Sequence, residues 1–236
     1  MKIYHLFFCI LFLSIGFKSM CQQQDFAKNI KKIEPIKVTN EIIRVDSLEY
    51  VIDITKPYFQ SEDGRCENMN KEIENFLDSI QIVIKKESNE FFKSWDDKTE
   101  ILPPFNLSVV PDTIFFISNK YISVLFYVEI YRTGAPHGSN YSVAFNYDLK
   151  NKKLLSNEEI IDYSRKNDIE KLLKKHFNNK EGCFSYLPTL DKNYTLNFSE
   201  KEFIFTYRPY LLGSYACWYA QIIMPREEID KFIIKK

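Results

Sequence analysis

The sequence predicts an α+β fold in which a mainly antiparallel sheet packs against one long amphipathic helix. At residues 122–130 apolar side chains occupy every second position, which is the period of a strand with one buried face. At residues 69–84 they recur at helical spacing instead. The predicted order is a strand, the long helix, three strands, two shorter helices, three strands and a final helix. Such grouping of strands is typical of antiparallel pairing.

Residues 121–148 form the centre of the predicted sheet. The first run alternates as described, and a second run at residues 141–147 repeats the alternation. A polar loop at residues 133–140 joins the two runs. They are therefore expected to pair as an antiparallel ribbon with a wide connection.

The elements before this ribbon are a strand, the long helix and a second strand. Residues 41–59 are strand-like, and Pro57 marks the exit. Residues 67–93 form the helix, whose apolar stripe is expected to pack in the core. Residues 96–104 interrupt the helix, and Pro103 and Pro104 force an extended backbone there. Residues 105–117 then form a strand, and a tight reversal at 118–120 leads into the ribbon.

Shorter helices are predicted after the ribbon and at the C-terminus. Ser156 and Glu159 have the spacing of a capping box, in which each side chain bonds the other residue's backbone NH. A further helix covers residues 168–177. Residues 194–207 alternate as a hairpin that turns at 199–201, and a strand follows at 218–224. Pro225 is expected to open the last helix, because a first-turn NH has no helical partner.

Composition limits the classes of function. The chain has 236 residues, 45% hydrophobic and 27% charged, which fits a compact globular unit and argues against an integral membrane protein. The formal net charge is zero, and no basic cluster interleaves with aromatic residues. Nucleic acid is therefore not an expected partner.

The N-terminus has the pattern of an export signal. Lys2 precedes an apolar run at residues 6–17, which is shorter than the roughly 20 residues of a spanning helix but fits a secretory signal peptide. We predict a signal peptide over 1–21, a tether over 22–40 and one α+β domain of two intimately packed parts over 41–236. The protein is then exported, to the periplasm or the cell exterior. Whether Cys21 carries a lipid stays open, and membrane contact is expected only if it does.

Three cysteines lie in the predicted domain. An oxidising compartment allows two of them to pair, and Cys183 with Cys217 is the preferred bridge, because each lies beside a strand or loop of the C-terminal half. A bridge from Cys66 and a set of three unpaired thiols stay open as alternatives. No cysteine has the CxxC spacing of a zinc or redox site.

Few residues indicate catalysis. His137 and His176 are the only histidines outside the signal peptide, and no HExxH motif is present to supply a metal's ligands. No metal, cofactor or catalytic residue is therefore predicted, although a carboxylate pair such as Glu129 and Asp148 stays open. One group of aromatic residues either packs in the core or lines a groove for sugar or peptide. It comprises Tyr207, Tyr210, Tyr215, Trp218 and Tyr219.

Four short segments occur in a fixed order along the chain. They are TyrArgThrGlyAlaProHis at 131–137, PheAsnTyrAspLeuLys at 145–150, LeuLeuSerAsnGluGlu at 154–159 and ProTyrLeuLeuGlySerTyrAla at 209–216. In this order they resemble an extracytoplasmic bacterial family of largely unknown function. The family includes the sensor domain of the lysozyme-responsive anti-sigma-V factor and the non-catalytic N-terminal domain of a peptidoglycan deacetylase. The resemblance covers residues 50–234.

The resemblance implies a non-enzymatic exported domain that binds a cell-envelope or extracellular ligand. The ligand classes it suggests are a peptidoglycan fragment and a cell-wall lytic enzyme. An inhibitor or immunity protein against a secreted toxin or muramidase is the second hypothesis, and a hydrolase with a nonstandard site is the third. The oligomeric state stays open.

Two segments depart from the family pattern. The family's loop has paired glycines before alanine, histidine and proline, whereas this chain has Thr133 in place of one glycine and Pro136 ahead of His137. The family's C-terminal motif ends in alanine and glycine, where this chain has Cys217 and Trp218. Both departures fall where a ligand is expected, so the resemblance does not identify the partner.

The candidate binding site combines the segments at 131–137 and 209–215. Both flank predicted strands, and such loops vary in sequence while the sheet fixes their ends. The site is expected to consist of Tyr131, Arg132, Gly134, His137, Tyr210, Gly213 and Tyr215. The two glycines would supply backbone shapes that larger residues resist, unless they only form turns. The hypothesis requires that the two segments adjoin in the fold.

Overall fold

A computed structural model of the chain describes residues 35–96, 100–117 and 119–234. All of these except Pro35 belong to one unit, Ile36–Lys236. Within them, nine strands and four α-helices confirm the predicted α+β fold. The predicted signal peptide, Cys21 and the tether up to residue 34 lie outside the described residues. No helix in the described ranges is long and apolar enough to cross a membrane.

The larger sheet has six strands that are neighbours in chain order. They are β1 (Lys37–Asp46), β2 (Tyr50–Gln60), β3 (Phe105–Ile117), β4 (Tyr121–Tyr131), β5 (Ser139–Asp148) and β6 (Lys153–Leu154). Only β2 and β3 run parallel, because helix α1 (Glu67–Ser94) carries the chain back across the sheet between them. Ile73, Leu77 and Ile84 of α1 are fully buried in the core that also contains Val124 and Phe126 of β4.

The smaller sheet is entirely antiparallel and belongs to a second core. Its strands are β7 (Thr195–Phe198), β8 (Glu202–Tyr207) and β9 (Ala220–Pro225). Three helices belong to the same part of the chain: α2 (Asn157–Ile160), α3 (Lys166–His176) and α4 (Arg226–Ile229). Ile169 and Leu173 of α3 are buried in a cluster with Phe205 and Ile222 of the sheet.

A buried polar network joins the two sheets. The Ser123 hydroxyl of β4 donates to Asn146 Oδ1 at 2.6 Å and accepts from Asn197 Nδ2 at 2.7 Å. It also accepts the backbone NH of Phe198 at 3.1 Å, and Asn146 Nδ2 donates to the Leu196 carbonyl at 2.8 Å. Because Ser123 and Asn197 are fully buried, these bonds replace water and fix how the sheets are aligned.

The N-terminal half differs from the sequence prediction in two ways. Pro57, which was expected to mark the strand exit, lies inside β2 and pairs with Asn40 of β1. Proline is tolerated there because the pairing of β2 with β3 ends at Ile54, so β2 has a neighbouring strand on one side only.

The segment predicted as one strand over 41–59 is a hairpin of β1 and β2, and β1 begins at Lys37, inside the predicted tether. The turn has neither glycine nor proline to signal it. Instead the Ser47 hydroxyl accepts the backbone NH groups of Glu49 at 3.3 Å and Tyr50 at 2.9 Å. A serine turn of this kind is a weak sequence signal.

The second half agrees closely with the prediction. Ser156 and Glu159 form the predicted capping box at the start of α2. The disulfide joins Cys183 and Cys217 with an S–S distance of 2.03 Å, and Cys66 is a buried free thiol. Pro225, which was expected in the first turn of the last helix, is instead the last residue of β9 and the N-cap residue of α4, a helix of four residues.

Candidate functional site

The two predicted site segments lie against each other. The Tyr210 hydroxyl is 2.7 Å from His137 Nε2, and the His137 and Tyr215 rings stack with centroids 4.1 Å apart. Asn140 Nδ2 donates to the Tyr215 hydroxyl at 2.7 Å. The distance requirement of the shared-site hypothesis is therefore met.

Both ring nitrogens of His137 are engaged. Nδ1 lies 2.8 Å from the backbone carbonyl of Gly138, which can only accept a hydrogen bond. In the neutral ring Nδ1 therefore carries the proton, and Nε2 accepts from the Tyr210 hydroxyl. The loop reaches this position through a turn in which Ala135 NH donates to the Arg132 carbonyl at 2.9 Å and Gly134 has a φ of +84°. The prediction that Gly134 supplies a special backbone shape is consistent with this angle.

Arg132 has a different environment from the rings. Its Nε and an Nη atom each lie 2.8 Å from Glu87 Oε2 of helix α1. Tyr131, the preceding residue, is half-buried at the end of β4. Both residues thus lie where the loop leaves β4. His137, at the other end of segment 131–137, contacts segment 209–215.

The second segment begins with a strained turn. Leu211 NH donates to the Arg208 carbonyl at 3.3 Å across Pro209 and Tyr210, and Tyr210 has a φ of +72°. Proline followed by a residue with positive φ is the pattern of a type II turn, in which the second position is normally glycine. Tyrosine at this position keeps its side chain 59% exposed, beside His137.

Gly213 is required by packing against the disulfide. A Cβ atom at this position would lie 2.9 Å from the Cys183 carbonyl oxygen and 3.0 Å from Cys217 Sγ. Gly213 also pairs with Phe184 in an isolated β-bridge. Its backbone does not have a positive φ, so the close approach of the chain, and not an unusual dihedral angle, explains the glycine.

Trp218 follows the disulfide with a second strained backbone. Its φ is 60° and its ψ is −149°, close to a region that is essentially restricted to glycine. A non-glycine residue held this way costs about 1–3 kcal/mol. The indole is nevertheless 50% exposed, so burial of apolar surface offsets little of that cost.

Six rings form a continuous strip, which we call the aromatic strip. Its members are Tyr210, His137, Tyr215, Trp218, Tyr219 and Tyr127. Successive ring centroids are 5.9, 4.1, 5.9, 5.5 and 4.7 Å apart. Such spacings are those of favourable aromatic pairs. The strip therefore extends from the two predicted loops onto strand β4.

An open cavity of about 370 Å³ lies beside one end of the strip. Tyr127, Trp218 and Tyr219 line it, and we call it the aromatic groove. Its polar wall is a row across three paired strands, since Ser108 of β3 faces Glu129 of β4, which in turn faces Asn140 of β5. The row is completed by Gln221 of β9, whose Nε2 donates to the Tyr127 hydroxyl at 2.8 Å.

The two tyrosines that line the groove are partly buried. Burial raises the pKa of the Tyr127 phenol to about 12, and the negative charge of Asp112 adds to that rise. Burial also raises the pKa of Tyr219, whose hydroxyl has no hydrogen-bond partner among the described residues. Both phenols therefore stay protonated at neutral pH, and they keep an apolar face next to the polar row.

Sequence analysis identified only part of this site. Of the five aromatic residues proposed for a groove, Tyr207 is fully buried in the core and donates to the Thr189 carbonyl at 3.1 Å. The polar row was not predicted, because its side chains come from three strands that only the pairing register brings together. The alternation along β4 places Glu129 on the face opposite the core that packs against the helix. This position is the one feature of the sequence that indicates a polar residue on the groove side.

The suggested carboxylate pair does not converge. Glu129 is exposed near the end of β4 that leads into the loop, whereas Asp148 is paired with Tyr121 at the opposite end of that strand. Asp148 is 4% exposed and accepts the backbone NH groups of Lys150 and Asn151, each at 2.9 Å, so it stabilises a turn. Within the described residues, no group of three or more His, Cys, Asp or Glu side chains could hold a metal ion.

Comparison with solved structures identifies the fold. One similar structure is a DUF3298 family member from Bacteroides fragilis NCTC 9343, with a TM-score of 0.59 and 13% sequence identity over 87% of this chain and 96% of that one. Another is a DUF3298 family protein from Pseudomonas aeruginosa PAO1, with a TM-score of 0.62 and 10% identity over 85% and 95% of the two chains. The chain has the fold of these DUF3298 proteins.

The likeness is structural, since identities of 10–13% show the fold alone. No family model matches the sequence, and no curated protein matches it either. The structural neighbours are proteins of unknown function, which supports the predicted relation to a family of unknown function.

Proposed function

We propose that this protein is an exported, non-enzymatic binding domain and that its ligand is a cell-envelope glycan of the peptidoglycan class. The single observation that carries the proposal is the aromatic groove, in which the exposed Trp218 ring and two partly buried tyrosines lie beside a row of polar side chains. Its volume of about 370 Å³ falls within the range of about 300–1,000 Å³ of small-molecule sites. The disulfide supports export, because such bonds persist in oxidising compartments.

The chemistry of the groove favours a sugar. A pyranose ring has an apolar face that can lie on an aromatic ring and hydroxyl or acetamido groups at its edge. Trp218 and Tyr219 offer the flat surface, and Glu129 and Gln221 offer an acceptor and an amide in the lining of the same groove. A predominantly apolar site with a few placed polar groups is the usual design of a ligand pocket.

Backbone strain supports a binding role for the exposed rings. Tyr210 and Trp218 both have positive φ, both are at least half exposed, and neither gains enough burial to account for its conformation. The family that the sequence resembles has glycine at the position of Trp218, which suits this backbone. Retention of tryptophan there is explained if the indole contacts a ligand.

Binding is favoured over hydrolysis by the state of the polar groups. Both nitrogens of His137 are engaged, by the Gly138 carbonyl and the Tyr210 hydroxyl, and Glu129 is the single acid among the described residues that line the aromatic groove. A hydrolytic site commonly needs two convergent acid or base groups. The finer resemblance to the anti-sigma-V sensor domain and the peptidoglycan deacetylase domain also suggests recognition of the cell wall.

A protein ligand, such as a cell-wall lytic enzyme, is the second candidate. The exposed side chains of Tyr186 and Leu187 follow the disulfide residue Cys183, and both Ser185 NH and Tyr186 NH donate to the Leu212 carbonyl at 2.8 Å. Tyr186, Leu187 and Tyr210 are each more than half exposed, and exposed aromatic and apolar side chains are typical of interaction surfaces. This candidate includes the hypothesis of an inhibitor of a secreted muramidase.

Replacing Trp218 by glycine tests the proposal. We expect Trp218→Gly to weaken binding of a soluble muropeptide by about tenfold or more, since stacking contributes about 0.5–1.5 kcal/mol beyond area burial. The thermal midpoint is expected to stay the same or rise, because glycine removes the backbone strain. Isothermal titration calorimetry of the processed chain measures the first quantity and calorimetric unfolding the second.

Tyr58→Ala is the matched control, because Tyr58 is another aromatic side chain that is about half exposed, but on β2. It is expected to leave muropeptide affinity unchanged. Titration of lysozyme in parallel separates the two candidates. If lysozyme binds and muropeptides do not, the glycan proposal is wrong and the protein-ligand candidate stands.

A further inference from the structure

A second groove opens beside the aromatic groove. It has a volume of about 460 Å³, and Ser142, Thr206 and Arg208 are among the residues that line it. Ser142 is paired with Tyr127 across β4 and β5, and Thr206 is paired with Gln221 across β8 and β9. Since Tyr127 and Gln221 line the aromatic groove, the two grooves have adjacent walls. We call this second one the arginine groove.

Among the described residues that line the arginine groove, Arg208 is the only charged one. Its side chain is exposed, and no carboxylate in the described part of the chain forms an ion pair with it. This contrasts with Arg132, which is paired with Glu87 behind the loop. An exposed guanidinium without an acidic partner is available to an anion from solution.

The charge of Arg208 also reaches the aromatic groove. Burial raises the pKa of the Tyr219 phenol, and Arg208 acts against that rise through its positive charge. The end of the β8–β9 ladder explains the proximity, because Tyr207 pairs with Ala220 and the next residues outward are Arg208 and Tyr219. A ligand that lies on Tyr219 would therefore present its edge towards Arg208.

The remaining lining of the arginine groove suits a polar group. Ser142 and Thr195 hydroxyls are 2.8 Å apart, and neither carries charge. Thr206 is 1% exposed, and its hydroxyl has no hydrogen-bond partner in the described residues. None of the described residues that line this groove is an acid that would repel an anion, whereas the lining of the aromatic groove includes Glu129.

We propose that Arg208 makes this protein selective for glycans that bear a free carboxylate, with the sugar ring in the aromatic groove and the carboxylate in the arginine groove. The inference rests on the proposed function, because it specifies the ligand class of the same site. A planar guanidinium matches a carboxylate in a two-point contact, which a neutral sugar does not supply.

Three disaccharide probes test the inference. The first is N-acetylglucosaminyl-N-acetylmuramic acid, whose lactyl group carries a free carboxylate. The second is the methyl amide of that lactyl group, which keeps the shape and removes the charge. The third is chitobiose, which lacks the lactyl group. We expect the acid to bind about tenfold more tightly than the amide at low ionic strength, and the ratio to fall as salt is added.

The variant Arg208→Gln is expected to bring the acid-to-amide ratio close to one and to leave chitobiose affinity unchanged. Arg44→Gln, which removes the same charge from exposed β1, is expected to keep the wild-type ratio. Equal binding of acid and amide by the wild type, or an unchanged ratio in Arg208→Gln, overturns the inference. In either case Trp218-dependent binding of all three probes would leave the proposed function intact. If the wild type binds none of them, both are wrong.

Discussion

Loss of the disulfide is expected to destabilise the protein strongly. The double variant Cys183→Ala/Cys217→Ala should lose about 3–4 kcal/mol of unfolding free energy, because the bridge closes a loop with a sequence separation of 34 residues. The same bridge holds the chain that carries Gly213 and Trp218. Muropeptide binding should therefore fall together with stability. Urea unfolding monitored by far-UV circular dichroism measures the first effect.

The buried thiol Cys66 provides the control for this experiment. Cys66 is 1% exposed in the core beside α1, so a reductant should not alter its packing. Adding dithiothreitol is expected to lower the urea midpoint of the wild type and of Cys66→Ala, and to leave the double variant unaffected. A wild-type midpoint that does not respond to reductant under unfolding conditions contradicts the prediction.

The second large effect is expected at the junction of the two sheets. Ser123→Ala removes one hydroxyl that serves three hydrogen bonds, and it leaves Asn146 Oδ1, Asn197 Nδ2 and Phe198 NH without that partner. Each buried polar group that loses its partner costs about 1–3 kcal/mol, and partial relaxation lowers the sum. We therefore expect a loss of about 3 kcal/mol, measured as a lower urea midpoint with an unchanged slope.

Ser142→Ala is the matched control, because Ser142 also links the two sheets from β5. Its hydroxyl has one partner, Thr195 Oγ1, and that oxygen also has the Ser142 carbonyl to bond at 3.0 Å. Because this hydrogen bond is only partly buried and Thr195 keeps a second acceptor, it should contribute less than about 1 kcal/mol to the free energy of unfolding. Equal costs for the two variants would mean that the buried network does not hold the sheets together.

The two faces of β4 explain why the sequence predicts the fold better than the site. Ile122, Val124 and Phe126 alternate as the helix-side core, and the pattern predicts the strand from one face alone. The structure shows that Ser123 and Leu125 on the other face are buried as well. The second sheet causes this burial through contacts that are distant in sequence, so no local pattern reveals it.

The site shows the same division between local and long-range information. Tyr210 and Tyr215 lie in a segment that the resemblance singles out, so motif order alone makes them candidates. Asn140 and Gln221 have no motif, and strand register alone brings them to the groove. The strain at Trp218 is also invisible in the sequence except as a departure from the family's glycine, because φ depends on the disulfide and the turn around it.

The central claim is that exposed Trp218 contacts an envelope glycan, and the fluorescence of this residue tests it most directly. The chain has two tryptophans, Trp95 and Trp218. Trp95 stacks on Phe91 with centroids 5.7 Å apart, so Trp95→Phe keeps a ring there and leaves Trp218 as the only indole. Titrating this variant with a soluble muropeptide is expected to shift its emission to shorter wavelength, saturably, because the ligand displaces water from the half-exposed indole. Emission that stays constant while calorimetry detects binding would place the ligand elsewhere and contradict the account.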